Sequence, residues 1–253
     1  MQVLFLLILG IVQGLCEFLP ISSSGHLVLL SNLFGIEDSL FVSIILHMAT
    51  LLAILIVFRK DVFHLIRHPF SKETMSIVVA TIPTCLIVLV LMPIIDNSFS
   101  GSYLWICFLI SAILLLWTEY YSKRKKGTTE MTYKQAVIMG IAQGLAVFPG
   151  ISRSGTTISA GMLSGTDKSK CAKFSFLMSI PIIILSMLLE IIKIFVYKET
   201  ISVNIPGLLL AFISAFLIGI VSIKLMMKLT EKSNFKWFSL YLLVIAIITM
   251  IVC

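Results

Sequence analysis

The sequence predicts an all-α integral membrane protein with six transmembrane helices and two re-entrant, broken-helix regions, arranged as an inverted-topology repeat. Three observations support this prediction: an apolar composition, six long apolar segments, and a polar motif that occurs twice. Of the 253 residues, 59% are hydrophobic and only 12% are charged, and the mean hydropathy is +1.10. Soluble domains are roughly 45–50% apolar, so this composition indicates a chain that resides in a bilayer.

Six apolar segments come close to or exceed the roughly 20 residues that a membrane-crossing helix needs. They are residues 41–58, 75–95, 103–121, 172–197, 206–225 and 237–252. The last three segments follow the first three at nearly the same spacing that separates Gln13 from Gln143. The spans themselves are therefore repeated along the chain.

The polar motif occurs first as QGLCEFLPISSSGH, from Gln13 to His26, and again as QGLAVFPGISRSGT, from Gln143 to Thr156. Starting three residues upstream of each glutamine, the copies share Gly, Ile, Gln, Gly, Leu, Phe, Ile, Ser, Ser and Gly without a gap. This is a strong internal-repeat signal. We therefore divide a single membrane domain into a first repeat, residues 1–125, and a second repeat, residues 126–253, each with one motif and three spans.

An odd number of spans per repeat gives the second repeat the opposite orientation if the motif itself does not cross the membrane. The basic residues agree, because they form four clusters that fall on one side of such an arrangement, as the positive-inside rule requires. The clusters are Arg59, Lys60, Arg67 and Lys72; Lys123, Arg124, Lys125 and Lys126; Lys168, Lys170 and Lys173; and Lys224, Lys228, Lys232 and Lys236. This bias also explains the net charge of +7, so no nucleic-acid partner is predicted.

Each motif predicts a helix, a break and a short helix, because its apolar pieces are too short for a hydrocarbon core of about 30 Å. Irregular backbone at membrane depth must be buried in protein or line a wet cavity, so we expect the two breaks to meet near the midplane. Ser-x-Ser-Gly after each break would cap a helix N-terminus, where backbone N–H groups bind anions. The predicted phosphate-binding residues are Ser22, Ser24, Gly25, Ser152, Arg153, Ser154, Gly155, Thr156 and Thr157.

We predict that the catalytic residues lie where the two copies of the motif differ. Glu17, Ser23 and His26 of the first copy correspond to Val147, Arg153 and Thr156 of the second. An ionisable group at membrane depth is costly and by default functional, and the planar fork of arginine binds phosphate oxygens well. The alternative is a structural Arg153 that pairs with Glu17. His26 would activate a hydroxyl, protonate a leaving oxygen or only bond a carbonyl.

Gln13 and Glu17 stand four residues apart on one helix face. A carboxylate beside a phosphate must be protonated or share a cation with it. We favour a divalent cation, Mg²⁺ or Ca²⁺, held by Glu17 with Gln13 as a second ligand. His47, within an apolar span, is a weaker candidate for lining the same cavity.

Together, QGLCEFLPISSSGH and PGISRSGTT resemble the undecaprenyl-diphosphate phosphatases of the bacitracin-resistance type, whose signatures are (E/Q)-x-x-x-E and P-G-x-S-R-S-x-x-T. The likeness covers essentially the whole chain. It implies hydrolysis of the lipid carrier diphosphate to the monophosphate and inorganic phosphate, with a divalent cation, at a site opening to the outer face of the bacterial plasma membrane. Gln13 and Glu17 match the first signature, and Ser152, Arg153, Ser154 and Thr157 match the second.

The predicted catalytic residues are Glu17, Ser23, His26 and Arg153. Ser23, helped by His26 and Glu17, is the candidate nucleophile, and direct attack by water with His26 as acid or base is the alternative. The competing class of protein is a polyprenyl-phosphate flippase or transporter, because inverted repeats with broken helices are also a transporter architecture. The asymmetry between the motifs favours the enzyme. A homodimer is compatible with the sequence.

Overall fold

A computed structural model describes residues 1–35, 39–98, 101, 103–122, 130–197, 204–232 and 235–252. The regular structure of these residues consists of eleven α-helices. In chain order they are α1 Gln2–Cys16, α2 Ser23–Phe34, α3 Ser39–Val57, α4 Arg59–Arg67, α5 Lys72–Ser98, α6 Leu104–Ser122, α7 Tyr133–Leu145, α8 Arg153–Leu163, α9 Lys168–Tyr197, α10 Ile205–Lys232 and α11 Lys236–Val252. The prediction of an all-α protein is confirmed for this part of the chain.

The six predicted spans coincide with α3, α5, α6, α9, α10 and α11. By length and composition, α5, α6, α9 and α10 can each cross a membrane, and α3 together with α4 is a fifth candidate, bent by 82°. Helix α11, with 17 residues, is apolar but shorter. The bend was not predicted: the basic connection after α3 forms a short amphipathic helix, in which apolar Phe63 and Ile66 are exposed.

Both polar motifs form a helix, a break and a short helix, as predicted. Helices α1 and α2 flank the first break, and α7 and α8 flank the second. Ser22 caps α2 and Ser152 caps α8, since each hydroxyl oxygen accepts a hydrogen bond from the N–H group three residues on, at 3.3 Å from Gly25 and 3.1 Å from Gly155. The repeated Ser-x-Ser-Gly therefore acts as an N-terminal cap in both copies.

The first helix of each motif packs against the middle span of the other repeat, α1 against α10 and α7 against α5. Glycine permits both contacts: an added Cβ on Gly10 would lie 2.7 Å from Ala211 Cα, and one on Gly140 would lie 2.8 Å from the carbonyl carbon of Ala80. The last spans of the repeats, α6 and α11, pack against each other. Corresponding helices thus make corresponding contacts, and the two repeats interlock.

Two of the predicted basic clusters lie close together in the fold. Lys173, at the start of α9, forms an ion pair of 2.6 Å with Asp61 of α4, and Lys72, at the start of α5, forms one of 3.1 Å with Glu130. The ends of these helices therefore share one side of the molecule. The cluster at residues 123–126 lies outside the described residues.

Candidate active site

The two breaks meet and are hydrogen bonded in both directions. The Gly150 N–H group donates to Ser22 Oγ at 3.1 Å, and the Ser154 hydroxyl donates to the Leu19 carbonyl oxygen at 3.1 Å. The backbones approach closely, because a Cβ added to Gly25 would lie 2.7 Å from backbone atoms of Gly150. The predicted meeting of the breaks is thereby confirmed.

Ser22 holds this junction in an unusual backbone conformation. Its φ of 67° is the only positive φ at a non-glycine residue in the described part of the chain. Such a conformation costs about 1–3 kcal/mol and persists where the surroundings enforce it. Here Ser22 Oγ accepts two backbone N–H bonds, from Gly25 and Gly150, while its carbonyl oxygen lies 2.7 Å from Nδ1 of His26.

We expect Ser22→Ala to lower the free energy of unfolding, because it leaves two buried N–H groups unpaired at about 1–3 kcal/mol each. Ser22→Gly loses the same bonds but relieves the positive φ, so its loss should be smaller. Thermal unfolding in detergent measures both, with Ser24→Ala as the control from the same helical turn. A Ser22→Gly protein less stable than Ser22→Ala would contradict this assignment of strain.

Glu17 is the centre of the site. Its side chain, 1% exposed, lies in the first break directly after α1. Oε1 is ion paired with Nη2 of Arg153. Oε2 accepts hydrogen bonds from the Ser23 hydroxyl at 2.5 Å and from Gln13 Nε2 at 3.1 Å. The first residues of α2 and α8, Ser23 and Arg153, therefore contact the same carboxylate, and the two N-termini converge there.

His26 is part of the same break region but does not bond Ser23 in the structure. Its Nδ1 lies 2.7 Å from the Ser22 carbonyl oxygen and its Nε2 lies 2.7 Å from the hydroxyl of Tyr241 on α11. The group that accepts the hydrogen bond of Ser23 is Glu17. In this structure Glu17 is the partner of Ser23, and the ring of His26 bonds a carbonyl on one side and a tyrosine on the other.

The predicted phosphate ligands form two groups. The hydroxyls of Ser22, Ser152, Ser154 and Thr157 are buried and bonded within the protein. Ser22 and Ser152 are caps, Ser154 donates to the Leu19 carbonyl, and Thr157 donates to a carbonyl of its own helix at 2.8 Å. Ser24 is only partly buried. The Thr156 Oγ1 atom is buried, with no hydrogen-bond partner among the described residues. The first group supports the scaffold, and the second has hydroxyls that are not needed for it.

Sequence reasoning missed the contribution of α9. Ser175 and Ser179 line a small cavity together with Glu17 and Arg153, and the Ser175 and Thr157 hydroxyls lie 2.6 Å apart. The available signal was two serines four residues apart, which lie on one face of α9.

His47, the weaker candidate, lies at the site. Its Nε2 is 3.8 Å from Oε2 of Glu17, and its Nδ1 is 2.8 Å from the Ser43 carbonyl oxygen. The carbonyl can only accept, so Nδ1 carries the hydrogen in this arrangement. A nitrogen of His47 therefore faces the central carboxylate.

The oxygen atoms around Glu17 suit a hard divalent cation, which prefers carboxylate, carbonyl and phosphate oxygens. Beside the carboxylate, Gln13 Oε1 is buried and unpartnered among the described residues. No group of three His, Cys, Asp or Glu side chains is found in the described ranges. The protein thus offers one carboxylate and one amide oxygen, a set that a Mg²⁺ ion commonly completes with substrate phosphates and water.

Comparison with known proteins identifies the family of this chain. The family model described as "Bacitracin resistance protein BacA" matches residues 6–248. An undecaprenyl-diphosphatase of Carboxydothermus hydrogenoformans is 39% identical, covering 95% of this chain and 94% of the relative. Those of Methanosphaera stadtmanae and Thermosipho melanesiensis are each 40% identical, covering 99% and 97% of this chain and 98% and 97% of the relatives. Since the match extends over nearly the whole chain, the protein belongs to the BacA family of bacitracin resistance proteins.

Proposed function

We propose that this protein hydrolyses undecaprenyl diphosphate to undecaprenyl monophosphate and inorganic phosphate in a bacterial plasma membrane. The observation that carries the proposal is the contact of Ser23 and Arg153, from different motifs, with the buried carboxylate of Glu17. A hydroxyl, a base and a guanidinium at two helix N-termini are the parts that phosphoryl transfer needs. Release of the monophosphate recycles the cell-wall carrier and underlies bacitracin resistance.

Binding of the diphosphate relies on Arg153 and on the first N–H groups of α2 and α8. The N–H groups of the first two residues of each helix have no partner one turn earlier, whereas those of Gly25 and Gly155 donate to the caps. The helix dipoles also favour an anion there. An entering phosphate shares the guanidinium of Arg153 with Glu17, or replaces that carboxylate. The terminal phosphate then lies next to the Ser23 hydroxyl.

In the proposed reaction, Ser23 Oγ attacks the terminal phosphorus and its proton passes to Glu17 Oε2, 2.5 Å away. The bond from that phosphorus to the bridging oxygen breaks, and the lipid monophosphate leaves. Water then attacks the phosphoserine and gives a proton to His26, the bond from phosphorus to Ser23 Oγ breaks, Glu17 returns its proton to that oxygen, and inorganic phosphate leaves. Arg153 stabilises the charge that spreads over the transferred group.

We assign the divalent cation, Mg²⁺ or Ca²⁺, to Glu17 and the free Oε1 atom of Gln13. When bound, it neutralises negative charge on the phosphates. Because Gln13 Nε2 donates to Glu17 at 3.1 Å, the same amide also orients the carboxylate.

The enzyme assignment predicts that protein purified in detergent releases inorganic phosphate from undecaprenyl diphosphate when Mg²⁺ or Ca²⁺ is added, and that chelation lowers the rate. A phosphate-release assay with wild-type protein and a Glu17→Gln variant as the control measures this. Lipid binding without phosphate release under either cation would overturn the assignment and favour the flippase. Movement of labelled polyprenyl phosphate across the membrane of vesicles would then detect flippase activity.

We also propose that the fold comprises six spans in an inverted repeat, with the site opening to the outer face. Support comes from the corresponding packing of α1 on α10 and α7 on α5 and from the shared location of two basic clusters. Basic residues concentrate on the cytoplasmic side of membrane proteins. The clustered ends of α4, α5 and α9 are then cytoplasmic.

This topology predicts that an impermeant thiol reagent labels a Ser39→Cys protein from outside the cell and a Lys60→Cys protein only after the membrane is opened. The two positions lie at opposite ends of α3, one at its first residue and one just beyond its last. A cysteine-free background removes reaction at native thiols. Labelling of Ser39→Cys from the cytoplasmic side alone would contradict the inverted arrangement.

A further inference from the structure

The ring of His26 is bonded at both nitrogens. Nδ1 lies 2.7 Å from the carbonyl oxygen of Ser22, which can only accept, so Nδ1 carries a hydrogen. Nε2 lies 2.7 Å from the hydroxyl of Tyr241. In the neutral ring Nε2 has a lone pair and accepts from the tyrosine; in the protonated ring the same hydroxyl accepts instead. Tyr241 thus fits both protonation states of His26.

Aromatic contacts fix the same ring in orientation. Tyr241 stacks on His26 with a ring-centroid distance of 5.7 Å and an interplanar angle of 10°, and Phe108 contacts it edge-on at 5.3 Å. Helix α11, which carries Tyr241, is fastened to α6 by the Ser239 hydroxyl, which donates to the Ala112 carbonyl oxygen at 2.7 Å. The tyrosine is therefore held by structure independent of His26.

We propose that Tyr241 is a positioning residue of the active site, which holds the ring of His26 with Nε2 as the nitrogen that exchanges protons. It joins the end of the second repeat to the motif of the first across 215 residues of sequence. Its relevance to catalysis rests on the proposed function, whereas its contact with His26 does not.

The direct test is nitrogen NMR of histidine-labelled protein without substrate. The signal of His26 is assigned from its absence in His26→Gln, which is needed because the chain has four histidines. We expect a wild-type ring protonated at Nδ1 with a hydrogen-bonded Nε2, and a shifted Nε2 resonance in Tyr241→Phe. Tyr103→Phe, which removes the hydroxyl of an exposed tyrosine, is the control. An identical His26 signal in Tyr241→Phe would overturn the proposal.

Kinetics supply the second readout. Tyr241→Phe is expected to lower kcat about tenfold with little change in KM, a smaller loss than the roughly 10²-fold or more for removing an acid–base group itself. Unchanged kcat would also overturn the positioning role. If the wild-type protein releases no phosphate but the NMR shift is seen, the proposed function fails and the contact between Tyr241 and His26 stands. The unfolding midpoint of Tyr241→Phe, measured in detergent, separates a loss of kcat from a loss of folding.

Discussion

Replacing Arg153 by alanine is expected to lower kcat/KM for undecaprenyl diphosphate by about 10²-fold or more. The guanidinium stands at the first residue of α8 and already pairs with an anion, the carboxylate of Glu17. A charge-assisted contact to the transferred phosphate strengthens as charge develops on its oxygens. Phosphate release at several lipid concentrations separates the effect on kcat from that on KM.

The control for Arg153 must separate lost catalysis from lost folding. Removing the arginine leaves Glu17 buried without its ion-pair partner, which destabilises a protein by itself. The double variant Arg153→Ala with Glu17→Gln removes that charge, and Arg59→Ala on α4 tests removal of an exposed arginine. Activity within a few-fold of wild type in a folded Arg153→Ala protein would show that the arginine is structural.

Replacing Ser23 by alanine is expected to reduce phosphate release by about 10³-fold or more, as removal of a nucleophile does in other hydrolases. The hydroxyl lies 2.5 Å from the carboxylate that would take its proton, and alanine has no atom to attack phosphorus. Ser31→Ala, a buried serine two turns later in the same helix, is the matched control. The steady-state rate in detergent is the measurement.

Two outcomes distinguish the chemical routes open to this site. A phosphoserine at Ser23, trapped by acid after mixing with labelled diphosphate, would establish the covalent intermediate. Substantial turnover by Ser23→Ala would exclude it and indicate direct attack by water. In that case Glu17 and His26 remain as the candidate bases.

Much of the local structure followed from residue types. Ser-x-Ser-Gly predicted the two capped helices, and short apolar pieces flanking polar breaks predicted that those breaks would be buried together. The difference between the copies identified Glu17, Ser23 and Arg153, which the structure brings into contact. The possibility that Arg153 pairs with Glu17 was open from the sequence, and that pair is present.

The rest depends on tertiary contacts that leave no local pattern. His26 contacts Tyr241 and the carbonyl of Ser22. Ser22 has a positive φ, a conformation that serine does not signal as glycine does. Tyr241 lies in an apolar span, where a single polar residue gives no indication of its neighbours. The 82° bend after α3 arises where an apolar helix gives way to a charged one.

The central proposition is that Ser23 of the first motif and Arg153 of the second act on one phosphate. A double-mutant cycle with the conservative variants Ser23→Thr and Arg153→Lys, measured as kcat/KM for undecaprenyl diphosphate, tests it most directly. If both residues act on one transition state, the kcat/KM of the double variant should be at least about fivefold higher than the value obtained by multiplying the two single losses. Losses that multiply without any coupling would show that the two motifs do not form one active site.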